Sequence, residues 1–306
     1  MEELKIFAPA TVANLSCGFD VLGCCLENVG DEMIIRKNEL KRIRITKILG
    51  QDLPMETEMN VAGVSAIALL QKLKSTQGFD IEITKNIKAG SGIGSSAASS
   101  AGVVFAINKL LDEPFTPHEL IPFAMEGERL ASGNPHADNV APALLGGFTL
   151  VKSYEPLEVL RLPSLPELRV VVLHPLIELK TKDSRAVIRQ LVPLKSAISQ
   201  WGNLGALVSA LYTKDYDLLG RSLVDEIVEP VRSILIPFFH ELKQIALENG
   251  ALGFGISGSG PSVYTMCRGE KAAEKVKAAL QEFYQQKDID FDLHLSKINT
   301  TGIKII

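Results

Sequence analysis

The chain has 306 residues, of which 46% are hydrophobic and 22% are charged, and its net charge is −4. This length allows one large domain or two ordinary ones, with enough apolar material for a core that needs no disulfide or metal. The acidic balance argues against a nucleic-acid-binding protein, and so does the absence of any Lys/Arg run longer than Lys41-Arg42.

The first residues and the cysteines indicate the compartment. Residues 1–5 are charged and lead directly into an apolar run, unlike a signal peptide. No apolar run approaches the roughly 18 residues that a membrane span needs. The four cysteines form no Cys-x-x-Cys pair. We therefore expect a cytoplasmic location, reduced cysteines and no membrane partner.

The first half of the chain predicts four strands and four helices. Short Ile-rich runs predict strands at 4–8, 33–37 and 42–48, and an alternating run predicts another at 79–84. Apolar residues three and four positions apart predict helices over 61–74 and 97–111. Thr116-Pro117-His118-Glu119 is typical of a helix start, and that helix is predicted to reach about residue 131, with a shorter one near 140–145.

Proline-marked turns between residues 155 and 166 predict a boundary between two domains, which we place at 1–158 and 159–306. Beyond it we predict strands near 169–174, 262–267, 291–296 and 302–306, and a glycine-rich turn at 250–261. Helices are predicted near 182–191, 196–212, 215–224, 231–249 and 270–285. Strands and helices mix without strict alternation, so the predicted class is α+β.

The strongest local signal is the glycine- and serine-rich segment Gly90–Gly102, which lies between a predicted strand and a predicted helix. Alternate glycines let backbone N–H groups point into one concavity, and the helix start adds unpaired N–H donors. This combination favours an anion site, most often for a polyphosphate. The segment lacks the Gly-Lys-Ser/Thr ending of a Walker A loop. The alternative is a flexible turn that caps a packing helix.

Two further segments stand out. Residues 253–262 contain five glycines, more than a helix-to-strand connection needs, which indicates close approach to a ligand or to another loop. Residues 8–23 carry Asn14 and Asp20 among apolar and small residues. An Asp in such surroundings needs a ligand or a distant cation as its partner. The alternatives are a tight packed turn for the first segment and turn chemistry for the second.

Acidic and polar residues cluster in the middle of the chain. Glu128 falls on a small-residue face of its predicted helix and could hold Mg²⁺, although a solvated helix face is the alternative. Asp138 or Asn139 could orient an attacking hydroxyl. His136 and Asp138 could be read as a metal pair, but two ligands at that spacing are weak evidence for zinc.

The order of these segments resembles the three motifs of the GHMP kinases. Gly92–Ala98 matches the central motif, Ile256–Ser262 the third, and Ala8–Gly23 the first, in the form found in the homoserine kinase subfamily. Residues 133–139 and 229–237 fit that subfamily as well. Ser16-Cys17 departs from the usual Gly-Pro, and Lys88 stands where a proline is common. Neither departure removes a group expected to touch phosphate.

The resemblance implies a fold, a reaction and a set of roles. The fold would be an N-terminal ribosomal-protein-like α/β domain that binds ATP, followed by a ferredoxin-like C-terminal domain. The reaction would be ATP-dependent phosphorylation of the side-chain hydroxyl of L-homoserine with Mg²⁺, by an enzyme for which a homodimer is the candidate assembly. Another GHMP kinase, acting on mevalonate, a sugar or shikimate, and a non-catalytic ATP-binding sensor are the alternatives.

Site residues follow from the same resemblance. The residues implied to bind ATP are Asn86, Ile87, Lys88, Ala89, Gly90, Ser91, Gly92, Ile93, Gly94, Ser95, Ser96, Ser257, Gly258, Ser259 and Gly260. Those implied to bind the amino acid are Asn14, Asp20, His136, Arg185 and Arg232, with Asp20 answering the ammonium and the two arginines the carboxylate. Ser96 and Glu128 would ligate Mg²⁺. Asp138 and Asn139 would lie beside the attacking hydroxyl, with Asp138 either a base or a support for an arginine.

Overall fold

A computed structural model describes residues 2–177, 179 and 181–306, with the side chains of residues 181 and 182 left out. In this part of the chain the strands are β1 (Glu3–Ala13), β2 (Leu22–Asn38), β3 (Ile43–Leu49), β4 (Gly78–Thr84), β5 (Phe148–Tyr154), β6 (Leu157–Leu162), β7 (Leu168–Pro175), β8 (Ala251–Ile256), β9 (Val263–Arg268), β10 (Phe291–Lys297) and β11 (Lys304–Ile305). The helices are α1 (Val61–Leu73), α2 (Ser95–Leu110), α3 (Pro117–Ser132), α4 (Val140–Leu145), α5 (Thr181–Ala186), α6 (Leu194–Thr213), α7 (Tyr216–Ser222), α8 (Glu229–Arg232), α9 (Phe239–Glu248) and α10 (Glu270–Gln285). The predicted α+β class is confirmed.

The larger sheet has seven strands. Its main path runs β11-β1-β2-β4-β3, and the β5-β6 hairpin pairs with the start of β2. Helices α1, α2 and α3 contact one another, and α2 packs on β1 and β2. Small residues make this possible, because the Ala, Ser and Gly side chains of α2 are buried on almost every side. The first residues of α2 are thereby fixed against the centre of the sheet.

Local sequence signals set the helix ends that matter for the site. Helix α3 begins with a capping box, in which the Thr116 side chain accepts from the N–H of Glu119 and the Glu119 carboxylate accepts from the N–H of Thr116. It ends at Gly133, whose φ of 81° is left-handed. The chain then turns back towards α2 through residues 133–139. This path brings the end of α3 and the loop after it close to the start of α2.

The second sheet is antiparallel, in the order β10-β7-β9-β8, with α9 and α10 packed against it. Its core contains an aromatic cluster that includes Phe239, Phe254 and Tyr284. The two sheets are connected, since Leu26 at the start of the larger sheet forms a bridge with Ile298 just after β10. The glycine-rich connection from β8 to β9 lies against the loop that precedes α2, because the N–H of Ser262 donates to the carbonyl of Ser91 at 3.2 Å.

The predictions and the structure differ at three places. The helix predicted over 231–249 is wrong, because Pro237 and a left-handed Phe238 (φ 59°) separate α8 from α9. The predicted turn at 250–261 contains β8, whose glycines are strand residues. Strands β5 and β6 were not predicted, since polar and proline residues obscure their alternation.

The domain division at residue 158 stays a prediction. That boundary falls inside β6, which pairs with β5 in the seven-stranded sheet. At the other end of the chain, β11 returns to pair with β1. Among the described residues, no helix has both the length and the apolar character that crossing a membrane requires.

Candidate functional site

A cavity of about 550 Å³ opens where α2 begins, between the glycine-rich segments and the end of α3. It collects most of the site residues predicted from the sequence. Predicted residues that line it are Asn14, Asp20, Ala89, Gly90, Gly92, Gly94, Ser95, Ser96, Glu128, His136, Asp138, Asn139, Arg185, Arg232, Gly258 and Ser259. Its other lining residues are Leu53, Val61, Lys85, Ser99, Ala131 and Ser132.

Four of the seven remaining predicted ATP residues are buried behind the cavity wall. Ile87 and Ile93 are buried in the core, and Ser91 and Ser257 are also buried. Ser257 Oγ donates to the carbonyl of Gly92 at 2.8 Å. All four side chains are therefore buried, and that of Ser257 supports the loop with a hydrogen bond. The other three predicted positions that do not line the cavity are Asn86, Lys88 and Gly260.

The three glycine-rich segments contact one another. The N–H of Thr11 donates to the carbonyl of Ile93 at 3.1 Å, and the N–H of Gly258 donates to that of Ala13 at 3.2 Å. A Cβ at Gly92 would come within 2.6 Å of the Ser257 carbonyl oxygen. The glycines indicated a close approach to a ligand or to another loop. Part of that approach is therefore a contact between two loops of the protein itself.

Gly90 and Gly94 have similar backbones but different surroundings. Both have positive φ, 76° and 72°. A Cβ at Gly94 would lie 2.1 Å from Thr11 Oγ1, whereas a Cβ at Gly90 would meet nothing within 4 Å. Gly94 is therefore required by the protein itself, and Gly90 is open to the cavity.

A buried ion pair lies beneath the loop that starts at Asn86. Lys85 Nζ contacts the Asp31 carboxylate and donates to the carbonyl of Ser95 at 2.9 Å and to Ser99 Oγ at 3.1 Å. Both side chains are buried, and Asp31 Oδ1 also accepts the N–H of Asn86 at 2.8 Å. The pair thus holds one end of the loop to the first turn of α2.

Sequence reasoning missed Lys85, although a signal was present. Residues 79, 81 and 83 alternate as the buried face of β4, and the same period places residue 85 on that face. A lysine at a position predicted to be buried needs an acidic partner. That partner, Asp31, lies 54 residues earlier and could not be identified from spacing.

Glu128 and Ser96 lie together on one wall. Glu128 is 7% exposed, so the solvated-face alternative is wrong, while Glu126 pairs with Arg129 on the outside of the helix. Burial raises the pKa of Glu128 to about 7, and a hydrogen bond from the Ser96 side chain opposes this rise. Glu128 Oε1 is buried and has no hydrogen-bond partner among the described residues. A carboxylate and a hydroxyl placed in this way are oxygen ligands of the kind Mg²⁺ prefers.

Asp20 has the distant cation that its surroundings required. The Arg185 guanidinium donates to both Asp20 oxygens, at 2.8 and 3.2 Å. Arg232 is 3% exposed and donates to the carbonyls of Ser184 and Gly258 at 2.9 and 3.1 Å. Burial, with repulsion from Arg185, lowers the pKa of Arg232 to about 10, so Arg232 is still a cation at neutral pH.

The loop after α3 brings three polar side chains to the cavity. Burial raises the pKa of Asp138 to about 7, with further contributions from the charges of Asp20 and Glu128. Burial also lowers the pKa of His136, and its Nε2 has no partner among the described residues. Asn139 Oδ1 accepts a hydrogen bond from Thr11 Oγ1 at 2.7 Å. The described residues give Asp138 no hydrogen bond to an arginine, and they contain no cluster of three metal-ligating side chains.

Tyr154 connects two of the loops that line the cavity. Its hydroxyl accepts from the N–H of Ala137 at 3.3 Å and donates to the carbonyl of Asp20 at 3.2 Å. Burial raises its pKa to about 12, so the hydroxyl stays neutral. This residue lies on β5, a strand that was not predicted, and its role was missed for that reason.

Comparisons with known proteins agree with this geometry. Sequence models of the family match residues 60–147, as the GHMP kinases N terminal domain, and residues 207–286, as the GHMP kinases C terminal domain. The chain is 42% identical over 319 residues to the homoserine kinase of Chloroherpeton thalassium, with all of both chains covered. It is 40% identical over 287 residues to that of Methanococcus vannielii, covering 93% of this chain and 94% of the relative.

A solved structure gives the same result. The crystal structure of homoserine kinase from Cytophaga hutchinsonii superimposes with a TM-score of 0.97 at 47% identity, covering 100% of this chain and 98% of that one. The resemblance found in the three motifs is confirmed over the full length. The chain belongs to the GHMP kinases and, within that family, to the homoserine kinases.

Proposed function

We propose that the chain transfers the γ-phosphoryl group of ATP to the side-chain hydroxyl of L-homoserine, giving O-phospho-L-homoserine and ADP. One observation carries the substrate assignment. A single cavity has a glycine-rich loop and a helix start at one end, and Asp20, Arg185 and Arg232 at the other. An amino acid needs a partner for its ammonium and another for its carboxylate, whereas a sugar needs neither.

The phosphates of ATP would lie along residues 86–96 and 257–260. The first N–H groups of α2 have no partner within the helix and carry its partial positive charge. Gly90 is open on the cavity side, so phosphate oxygens can approach the backbone there. Lys85 adds a fixed ammonium to the same wall.

Ser96 and Glu128 fit a Mg²⁺ ion. Glu128 Oε1 has no hydrogen-bond partner in the part of the chain that the structure describes, so it is costly when ionised and buried, and a bound cation would offset that cost. When bound, Mg²⁺ neutralises charge on the triphosphate. The protein supplies the carboxylate and the hydroxyl.

At the other end, the zwitterion of homoserine would bind between Asp20 and Arg185 and replace their ion pair. Its ammonium takes the place of Arg185 on Asp20, and its carboxylate takes the place of Asp20 on Arg185 and reaches Arg232. Burial lowers the pKa of His136, so its imidazole is neutral at neutral pH, and its Nε2, which has no partner among the described residues, is available to the amino acid. Planar guanidinium groups suit a carboxylate because they can donate two parallel hydrogen bonds.

The hydroxyl would lie beside Asp138 and Asn139. Because Asn139 Oδ1 is engaged by Thr11, its amide N–H groups are the part left for a ligand. In the reaction the new O–P bond forms as the bond to ADP breaks, and the hydroxyl proton leaves. A carboxylate whose pKa lies near neutral can accept that proton, so we assign Asp138 as the proton acceptor.

A coupled assay of ADP release tests the assignment. Homoserine, mevalonate, galactose and shikimate are compared at equal concentration with ATP and Mg²⁺, and omission of Mg²⁺ tests the metal. We expect turnover only with homoserine and only with the metal. Equal or faster turnover of mevalonate or a sugar would move the chain to another branch of the family, and ATP binding without turnover would support the sensor. The cytoplasmic location, indicated by four buried free cysteines, and a homodimer are part of the proposal.

A further inference from the structure

Phe19 lies in the connection between β1 and β2, directly before Asp20, and two cations lie over its ring. The guanidinium carbon of Arg185 is 5.7 Å from the ring centre, and that of Arg232 is 5.2 Å from it. Within about 6 Å the negative face of an aromatic ring attracts a cation. In the part of the chain that the structure describes, every other ring with a cation over it has only one.

Packing in the core does not account for the position of Phe19. Its side chain is half-buried, yet it belongs to neither of the hydrophobic cores that the described residues form. It is also not among the described residues that line the cavity. The contacts that distinguish Phe19 are those with Arg185 and Arg232, which do line the cavity.

The two guanidinium groups need a neighbour that attracts both, because they repel each other. Burial lowers the pKa of Arg232 most, and the positive charge of Arg185 lowers it further. Arg185 has Asp20 as its counter-charge, whereas Arg232 donates to two carbonyls and forms no ion pair among the described residues. When a substrate displaces Asp20 from Arg185, the two cations lie beside each other with only the incoming carboxylate to share.

The backbone around Phe19 is held on both sides. Before it, the carbonyl of Gly18 accepts the N–H of Leu22 at 2.8 Å. After it, Asp20 has a left-handed φ of 59°, and its N–H donates to Asn14 Oδ1 at 3.0 Å. The ring is therefore presented to the arginines by a turn whose conformation is fixed by its own hydrogen bonds.

We propose that Phe19 is a positioning residue for the carboxylate of the substrate, and that its ring holds Arg185 and Arg232 side by side so that both bind one carboxylate. The inference rests on the proposed function, because homoserine supplies that carboxylate. An acidic side chain in the same place would also attract the arginines, but it would occupy the N–H donors that the substrate needs. A ring attracts the cations and leaves those donors free.

Fluorination of the ring tests this attraction with little change in the size of the side chain. Phenylalanine with one, two or three ring fluorines is incorporated at position 19, and kcat and the KM values for homoserine and ATP are measured with Mg²⁺. Each fluorine withdraws electron density from the face of the ring. We expect the KM for homoserine to rise with each fluorine, to about tenfold with three, while kcat and the KM for ATP stay within about twofold. A purely structural role would leave all three quantities unchanged across the series.

Phe105 provides the matched control. Lys109 lies over its ring at 5.7 Å, and neither residue is among those that line the cavity, so the same fluorines at position 105 should leave both KM values unchanged. Phe19→Leu keeps an apolar side chain but removes the ring, and it should raise the KM for homoserine at least about tenfold.

Four outcomes would each overturn the role of Phe19. They are an unchanged KM for homoserine across the series at position 19, an equal rise in the KM for ATP, the same rise at position 105, and a normal KM for homoserine in Phe19→Leu. If the original chain does not turn over homoserine, the proposed function fails, and this inference fails with it. An original chain that turns over homoserine, with an unchanged series at position 19, refutes the role of Phe19 alone.

Discussion

Asp138 offers a stability test of the site that does not depend on activity. Burial raises its pKa from 3.8 to about 7, so the folded chain holds a proton there that the unfolded chain has released. Between these two values stability must fall as pH rises, by 1.36 kcal/mol for each pH unit. From pH 5 to pH 8 the contribution of Asp138 to this fall is about 3 kcal/mol, most of it complete by pH 7, and Glu128, whose pKa burial also raises to about 7, adds a fall of its own.

Asp138→Asn removes this dependence, because the amide has the same shape and does not ionise. Burying the amide also changes the free energy of unfolding. This change is equal at both pH values, so it cancels in the comparison. Between pH 5 and pH 8 we therefore expect the free energy of unfolding of the variant to rise by about 3 kcal/mol relative to that of the original chain. Urea unfolding of both proteins at both pH values, without ATP or Mg²⁺, measures the difference.

The charges around Asp138 set the conditions of this measurement. Asp20 and Glu128 raise its pKa and Arg185 lowers it, so these three residues are left unchanged in both proteins. Glu126→Gln, at an exposed carboxylate on α3, controls for the general effect of removing a negative charge. A difference between original and variant that is the same at pH 5 and pH 8 would refute the buried, proton-holding Asp138, and with it the case for Asp138 as the proton acceptor.

Three further variants test the roles of residues that line different parts of the cavity. Lys85→Met leaves Asp31 buried and unpaired, so unfolding should cost about 3–5 kcal/mol less and the KM for ATP should rise, whereas an unchanged melting temperature would contradict the buried pair. Arg232→Ala should lose roughly 2–4 kcal/mol of transition-state stabilisation with homoserine and leave the KM for ATP nearly constant; equal losses for both substrates would make Arg232 structural. Glu128→Gln should lower kcat by orders of magnitude at any Mg²⁺ concentration, and near-normal turnover at saturating Mg²⁺ would remove Glu128 from the metal site.

Much of the site was predictable because its signals are local. Alternating glycines before a helix predict a phosphate loop, and a capping box predicts the start of α3; both depend on residues within a few positions of one another. The position of Glu128 on a small-residue face left two possibilities open, a Mg²⁺ ligand and a solvated helix face, and its burial in the structure excludes the second. What these signals could not give is the distance between segments, since the cavity joins residues from both ends of the chain.

The missed features depend on such distant contacts. Lys85 is understood only with Asp31 in β2, and Tyr154 only with β5, whose pairing with β2 no local pattern specified. Gly94 was among the residues implied to bind ATP, but its Cβ position is occupied by Thr11, a residue of β1. A glycine in a sequence indicates that space is needed, and only the structure identifies the neighbour that needs it.

Two ion pairs in the site differ in how deeply they are buried, and we assign them different roles for that reason. Asp31 and Lys85 have side chains 0% and 2% exposed, so breaking that pair leaves an uncompensated charge in the core. Asp20 and Arg185 are 26% and 29% exposed at the cavity, where water screens the attraction and such a pair contributes about 0–1 kcal/mol. A zwitterion that separates Asp20 from Arg185 therefore loses little and gains a partner for each of its charges. The buried pair fixes the phosphate loop, and the exposed pair is the one that a substrate can replace.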